Sequence, residues 1–169
     1  MQQPVSWRKG AHLVLIGWLA MIGFDFFWHA GLLAGLYARP SPFLLAPERA
    51  FALIPVGYLS FLLLSVLLVW LAARVEVRSG REGARFGLML GALAWGALVL
   101  GLFSITTASP VLLAAWFAGQ TVELGIAGAL VGRGLQGARL RGLYGRALLL
   151  MVVAVVASVV LQNVGIAFW

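Results

Sequence analysis

Five long apolar stretches limit what this chain can fold into. They cover about 11–37, 51–73, 84–104, 110–132 and 145–167, and each reaches the roughly 20 apolar residues that a helix needs to cross a bilayer. With 63% hydrophobic and 10% charged residues and a mean hydropathy of +1.03, the 169-residue chain has too little polar surface for a soluble globule. The sequence therefore predicts an all-α bundle of five transmembrane helices, forming a single membrane domain over residues 1–169 with no soluble domain.

The basic residues are distributed unevenly between the two sides of this predicted bundle. If the spans alternate in direction, ten Lys and Arg residues fall on one side: Arg8, Lys9, Arg74, Arg78, Arg81, Arg85, Arg133, Arg139, Arg141 and Arg146. Only Arg39 and Arg49 fall on the other side. Loops rich in Lys and Arg stay in the cytoplasm. We therefore expect a multi-pass protein of the cell membrane, with its N-terminus inside and its C-terminus outside.

The net charge of +7 follows from this topology and does not indicate a nucleic-acid partner. Basic loops of this kind can contact anionic headgroups. Membrane lipids are therefore the expected partners, and no nucleic acid is expected.

An acid and a histidine interrupt the first apolar stretch, in the segment "GFDFFWHAGLLAGLY". Asp25 and His29 are four residues apart, so a helix places them on one face, close enough to interact. An ionisable group costs about 2.5 to 3.5 kcal/mol at the centre of a membrane helix on insertion scales, so it usually faces the bundle interior and has a partner. The sequence predicts either a functional site or a buried structural pair, and both interpretations stay open.

Other polar or aromatic side chains are expected at a similar depth, in the outer half of the bundle or near its middle. Together with Asp25 and His29, the predicted pocket for a ligand or for protons is formed by Trp28, Tyr58, Ser104, Thr106, Gln120, Glu123 and Asn163. The expected aromatic walls of this pocket favour an amphipathic or lipid-like molecule over a bare ion. These walls are Phe26, Phe27, Trp28 and Trp116. Glu123 also has a structural interpretation, since its side chain could reach toward Arg133.

The sequence offers little for a metal, a cofactor or a catalytic centre. The chain contains no cysteine, and its two histidines, His12 and His29, lie about 25 Å apart on the same predicted helix, too far to hold one haem within a monomer. Only Asp25, His29 and Glu123 could converge on zinc or iron. A nucleophile motif is also missing. We therefore expect no metal, no cofactor and no catalytic residues, and an enzyme is not the favoured class.

Small residues recur at the spacing of closely packed membrane helices. Glycines lie four apart at Gly31 and Gly35, at Gly87 and Gly91, and at Gly128 and Gly132. We expect these faces to pack within the chain first, and to meet a second copy or a larger membrane complex second.

The segment "FDFFWHAGLLAGLY" resembles the first-span signature of a family of small uncharacterised bacterial membrane proteins. There an Asp-x-x-Trp is followed by a Tyr at the outer end, matching Asp25, Trp28 and Tyr37. The glycine-rich "GLMLGALAWGALVLGLFSITT" is similar to that family's third span. The resemblance implies a multi-span membrane fold, with the fifth span added to a four-span core, and implies no activity.

Three functions are consistent with the sequence. The leading prediction is an outer-half pocket that binds or transports a small amphipathic molecule or protons, with Asp25 as the charge carrier and His29 as its proton-sensitive neighbour. The first alternative is a structural or assembly subunit of a larger membrane complex. The second is a membrane-embedded lipid-modifying enzyme that uses the same two residues as acid and base.

Overall fold

The computed structural model describes residues 6–39 and 41–164, which form helices joined by short turns and contain no strand. The helices are α1 (Trp7–Asp25), which continues as a π-helix (Phe26–Leu32), α2 (Ala34–Ala38), α3 (Pro47–Ala52), α4 (Ile54–Arg74), α5 (Gly80–Ile105), α6 (Pro110–Leu135) and α7 (Leu140–Val164). Five helices are long and apolar enough to cross a membrane: α1 with its π-helical continuation, α4, α5, α6 and α7. The predicted all-helical, multi-pass architecture is confirmed at this level. The last three residues of the predicted fifth span, 165–167, lie outside the described residues.

Local sequence signals explain where two of the long helices begin. The side chain of Ser79 accepts a hydrogen bond from the backbone N–H of Glu82 at 3.1 Å, which caps the N-terminus of α5. Ser109 does the same for α6 by accepting from the N–H of Leu112 at 3.2 Å. Pro110 then occupies the first turn of α6, where its missing N–H costs nothing.

The long helices alternate in direction, with α1 and α6 at the centre of the bundle. Short turns connect α4 to α5, α5 to α6 and α6 to α7, so each of these helices runs back along the one before it. The start of α1 lies at the end of the bundle where α6 finishes, since Lys9 Nζ donates to the carbonyl of Leu135 at 3.4 Å. The ten basic residues of the predicted cytoplasmic side therefore gather at one end, which we call the basic end.

Glycines bring α5 and α6 into backbone contact. A Cβ atom added to Gly87 would lie 2.0 Å from the carbonyl oxygen of Leu124, and one added to Gly83 would lie 2.1 Å from that of Gly128. No side chain fits at such distances, so these glycines set the separation of the two helices. The two glycine faces therefore pack against each other within the chain.

The first span differs from the continuous helix that its apolar pattern predicts. The α-helical winding ends at Asp25, π-helical winding follows to Leu32, and the chain then breaks at Leu33 before the short α2. Hydropathy reports only which residues avoid water, so the apolar pattern does not distinguish α-helical from π-helical winding. Segments of π-helix occur frequently at functional sites.

Candidate functional site

Four side chains from α1, α2 and α6 form a continuous row of polar contacts. Asp25 Oδ1 lies 3.4 Å from His29 Nε2, one helical turn away. The other ring nitrogen, His29 Nδ1, lies 2.5 Å from the hydroxyl oxygen of Tyr37. That oxygen accepts a hydrogen bond from Trp116 Nε1, on α6, at 2.6 Å. The row therefore joins an acid on one helix to an indole on another.

The donors and acceptors of this row agree with one arrangement of protons. Trp116 can only donate, so the Tyr37 hydroxyl is its acceptor and remains free to donate its own proton to His29 Nδ1. This assigns the proton of a neutral His29 to Nε2, the nitrogen that faces Asp25. A proton taken up by Asp25 or His29 is therefore next to a group that can form a hydrogen bond with it: each of these residues contacts the other, and His29 also contacts Tyr37.

Helix α7 supplies a side-chain donor to the π-helix. Gln162 Nε2 donates to the carbonyl oxygen of Ala30 at 2.6 Å. Ser158 Oγ also lies 3.5 Å from the carbonyl oxygen of Phe26, but its single hydroxyl proton has a shorter acceptor at 2.8 Å, the carbonyl oxygen of Ala154 on its own helix. In a membrane, backbone carbonyls released from regular winding need such partners, because no water reaches them.

Trp28 fixes the π-helix against α6. Its indole Nε1 donates to the carbonyl oxygen of Ala115 at 3.0 Å. A Cβ atom added to Gly119 would lie 2.3 Å from the same nitrogen, so the indole fits there only because this residue is glycine. Phe24 stacks on Trp28 with ring centroids 5.8 Å apart. These contacts place His29, the next residue, beside the first turns of α6.

A second acid lies in the interior near this row. Glu123, near the middle of α6, is 1% exposed, and neither of its carboxylate oxygens has a hydrogen-bond partner within residues 6–39 and 41–164. The side-chain oxygen of Gln120, one turn earlier, likewise lacks a partner in those ranges. Asp25 and Glu123 lie on helices that pack against each other, and Tyr58 lies on α4, which packs against both. The two interior acids therefore lie among three helices that pack together.

The structure divides the nine predicted site residues into two groups. Six of them are buried or half-buried on helices that pack against one another, α1 with its π-helical continuation, α4 and α6: Asp25, Trp28, His29, Tyr58, Gln120 and Glu123. Three others bond to carbonyls of their own helices. Ser104 donates to Gly101, Thr106 to Leu102 and Asn163 to Val159. Their hydroxyl and amide groups are thereby satisfied locally, so these side chains do not join the row.

The chemistry available at the site is that of proton exchange and cation binding. No group of three or more His, Asp or Glu side chains within the described ranges is arranged to hold a metal ion. Within those ranges Asp25 contacts His29 and Glu76 forms an ion pair with Arg78, so neither interior acid is paired with Lys or Arg. Two carboxyl groups without a permanently charged partner must hold protons or bind another cation, because uncompensated buried charge is costly.

Two members of the row, Tyr37 and Trp116, are not among the nine predicted site residues. Tyr37 lies eight residues after His29, a separation that does not bring side chains together on a regular helix. Trp116 was expected only as an aromatic wall, and its N–H is what holds Tyr37 in place. Phe43, from the loop before α3, packs on Trp116 with ring centroids 5.9 Å apart. No sequence signal beyond the aromatic residues themselves indicates these contacts.

Comparison with known proteins gives no relative for this chain. No family model, no curated protein and no solved structure matches it. The resemblance of the first and third spans to a family of small bacterial membrane proteins therefore stays a prediction.

Proposed function

We propose that the protein is a multi-pass protein of the bacterial inner membrane whose interior site binds and releases protons. This exchange serves the movement of protons, or of a small amphipathic molecule, across the membrane. The ten basic residues at one end of the bundle support an orientation with that end in the cytoplasm. In this orientation Asp25, His29 and Tyr37 lie in the outer half and Glu123 near the middle of the membrane.

The observation that carries the proposal is the row from Trp116 through Tyr37 and His29 to Asp25. Asp25 and His29 are 15% and 20% exposed, whereas Glu123 is 1% exposed. The protein therefore encloses the first two groups less completely than the third. Acids that lie inside membrane helices commonly mark proton relays in transporters.

The test is proton flux through the purified protein reconstituted in liposomes. The vesicles enclose a pH-sensitive dye, and a potassium gradient with valinomycin drives protons inward. We expect the wild type to acidify the interior and Asp25→Asn to abolish most of that flux, because asparagine cannot exchange a proton. Glu123→Gln should have a similar effect if the path continues to the middle of α6.

The matched control is Glu48→Gln, the same kind of substitution at an exposed acid in the first turn of α3. It should leave the flux unchanged. Folding of each variant is checked by circular dichroism and size-exclusion chromatography. Absence of flux in the wild type, or full flux in a folded Asp25→Asn variant, would contradict the proposal. Loss of stability in that variant without any wild-type flux would favour a buried structural pair.

A further inference from the structure

The polar groups of the site that have no partner among the described residues also indicate a class of ligand. We propose that the junction of α1, α4 and α6 binds an amphipathic organic cation, an aromatic or aliphatic amine, whose charged nitrogen lies between Asp25 and Glu123. This inference names the substrate class of the site described above and so rests on the proposed function.

The first argument is the balance of charge. With both acids ionised and His29 neutral, the site carries two negative charges. In the part of the chain that the structure describes, no Lys or Arg forms an ion pair with Asp25 or Glu123. A proton on each carboxyl group neutralises the pair, and so does one proton together with a bound monovalent cation, so the charge balance admits a cation as an occupant.

The second argument is the supply of hydrogen-bond acceptors. Three buried oxygens, both of Glu123 and the side-chain oxygen of Gln120, have no donor among residues 6–39 and 41–164. An ionised carboxylate and an amide oxygen can only accept, and a primary ammonium group carries three N–H donors. The three N–H donors of an ammonium group therefore match these three oxygens in number and in type. Buried acceptors left without donors cost about 1 to 3 kcal/mol each, so an occupant that supplies donors is favoured.

The third argument distinguishes an organic cation from a metal ion. The acids of the described residues form no cluster of the kind that holds a metal ion. Aromatic side chains lie near the same helices instead: Trp28, three residues after Asp25, is held by its N–H group, and Tyr58 packs on Phe61 with ring centroids 6.1 Å apart. Aromatic faces attract organic cations and also bury their apolar parts.

The test compares two probes of nearly the same shape, 1-naphthylmethylamine, which is cationic at neutral pH, and 1-naphthylmethanol, which is neutral. Binding to the wild type in mild detergent is measured by equilibrium dialysis with naphthalene fluorescence. We expect the amine to bind at least tenfold more tightly than the alcohol. Asp25→Asn and Glu123→Gln should each weaken amine binding by tenfold or more, and Gln120→Met should weaken it by a smaller factor. Glu48→Gln should have no effect.

Equal binding of the amine and the alcohol to the wild type would overturn the inference, and this comparison needs no variant to fold. Unchanged amine binding in a folded Glu123→Gln protein would overturn it as well. The liposome assay separates the two proposals. Proton flux without amine binding overturns the cation site alone, whereas amine binding without proton flux supports the cation site and overturns the proton path.

Discussion

The hydroxyl oxygen of Tyr37 lies 2.5 Å from Nδ1 of His29, although eight residues separate them along the chain. Eight residues of straight α-helix would advance the chain by about 12 Å. The contact exists because the π-helix ends at Leu32 and the chain breaks at Leu33, which turns α2 back toward the first span. The irregular winding thus positions the tyrosine, and the tyrosine connects the acid and histidine of α1 to α6.

Replacing Tyr37 by Phe is expected to interrupt the row without unfolding the protein. The variant loses the hydrogen bonds to His29 and Trp116, and we expect a loss of about 1 to 2 kcal/mol in the free energy of unfolding. Proton flux in liposomes should fall severalfold. Thermal unfolding in mild detergent, followed by circular dichroism, gives the stability of the same preparation.

The chain provides a matched control for this substitution in a second histidine and tyrosine pair. Tyr144 Oη lies 3.0 Å from His12 Nδ1, toward the basic end of the bundle and away from both interior acids. Tyr144→Phe removes the same kind of bond and should leave proton flux intact. A Tyr37→Phe protein with undiminished flux, or equal losses in both variants, would show that the row does not carry protons.

Gly87→Ala is expected to force α5 and α6 apart. The added methyl group would lie 2.0 Å from the carbonyl oxygen of Leu124. Alanine has no side-chain rotamer that could move this group away. Overpacking of this kind costs about 1 to 3 kcal/mol and more where backbone must move. The measurement is the midpoint of thermal unfolding in mild detergent.

Gly101→Ala makes the same change on the same helix, where no atom of the described residues lies within 4 Å of the added methyl group. Its stability should stay equal to that of the wild type or rise by up to about 1 kcal/mol, since alanine favours helix more than glycine does. If both variants unfolded at the same temperature, the close contact between α5 and α6 would not be a source of stability.

Gln162→Leu is expected to weaken the attachment of α7 to the π-helix. The substitution removes the donor to the Ala30 carbonyl, with a loss of about 1 kcal/mol because that carbonyl then faces an apolar surrounding. Hydrogen exchange at the backbone amides of residues 26–32, measured by mass spectrometry, should become faster.

The neighbouring variant Asn163→Leu tests whether this effect is specific. Asn163 donates to Val159 on its own helix, so its removal breaks no contact between helices. Exchange in the π-helix should stay at the wild-type rate. Faster exchange in both variants would mean that α7 as a whole has loosened, and that the single hydrogen bond to Ala30 is not what holds the segment.

The sequence by itself determined the features that depend on neighbours along the chain. The length of the apolar stretches gives the five long helices, because hydropathy is a property of neighbouring residues. Helix capping is also local, so the starts of two helices follow from Ser79, Ser109 and Pro110. The four-residue spacing of Asp25 and His29 likewise predicts their contact.

Only the tertiary structure decided which polar groups share the interior. Some polar side chains bond to a carbonyl of their own helix, as Ser104 and Asn163 do. Side chains of the same types can instead form contacts between helices. Composition does not distinguish these two outcomes. The meeting of Tyr37 with Trp116 depends on a change of helical winding and on packing across two helices. Contacts between distant residues follow from how whole helices fit together, which no local pattern encodes.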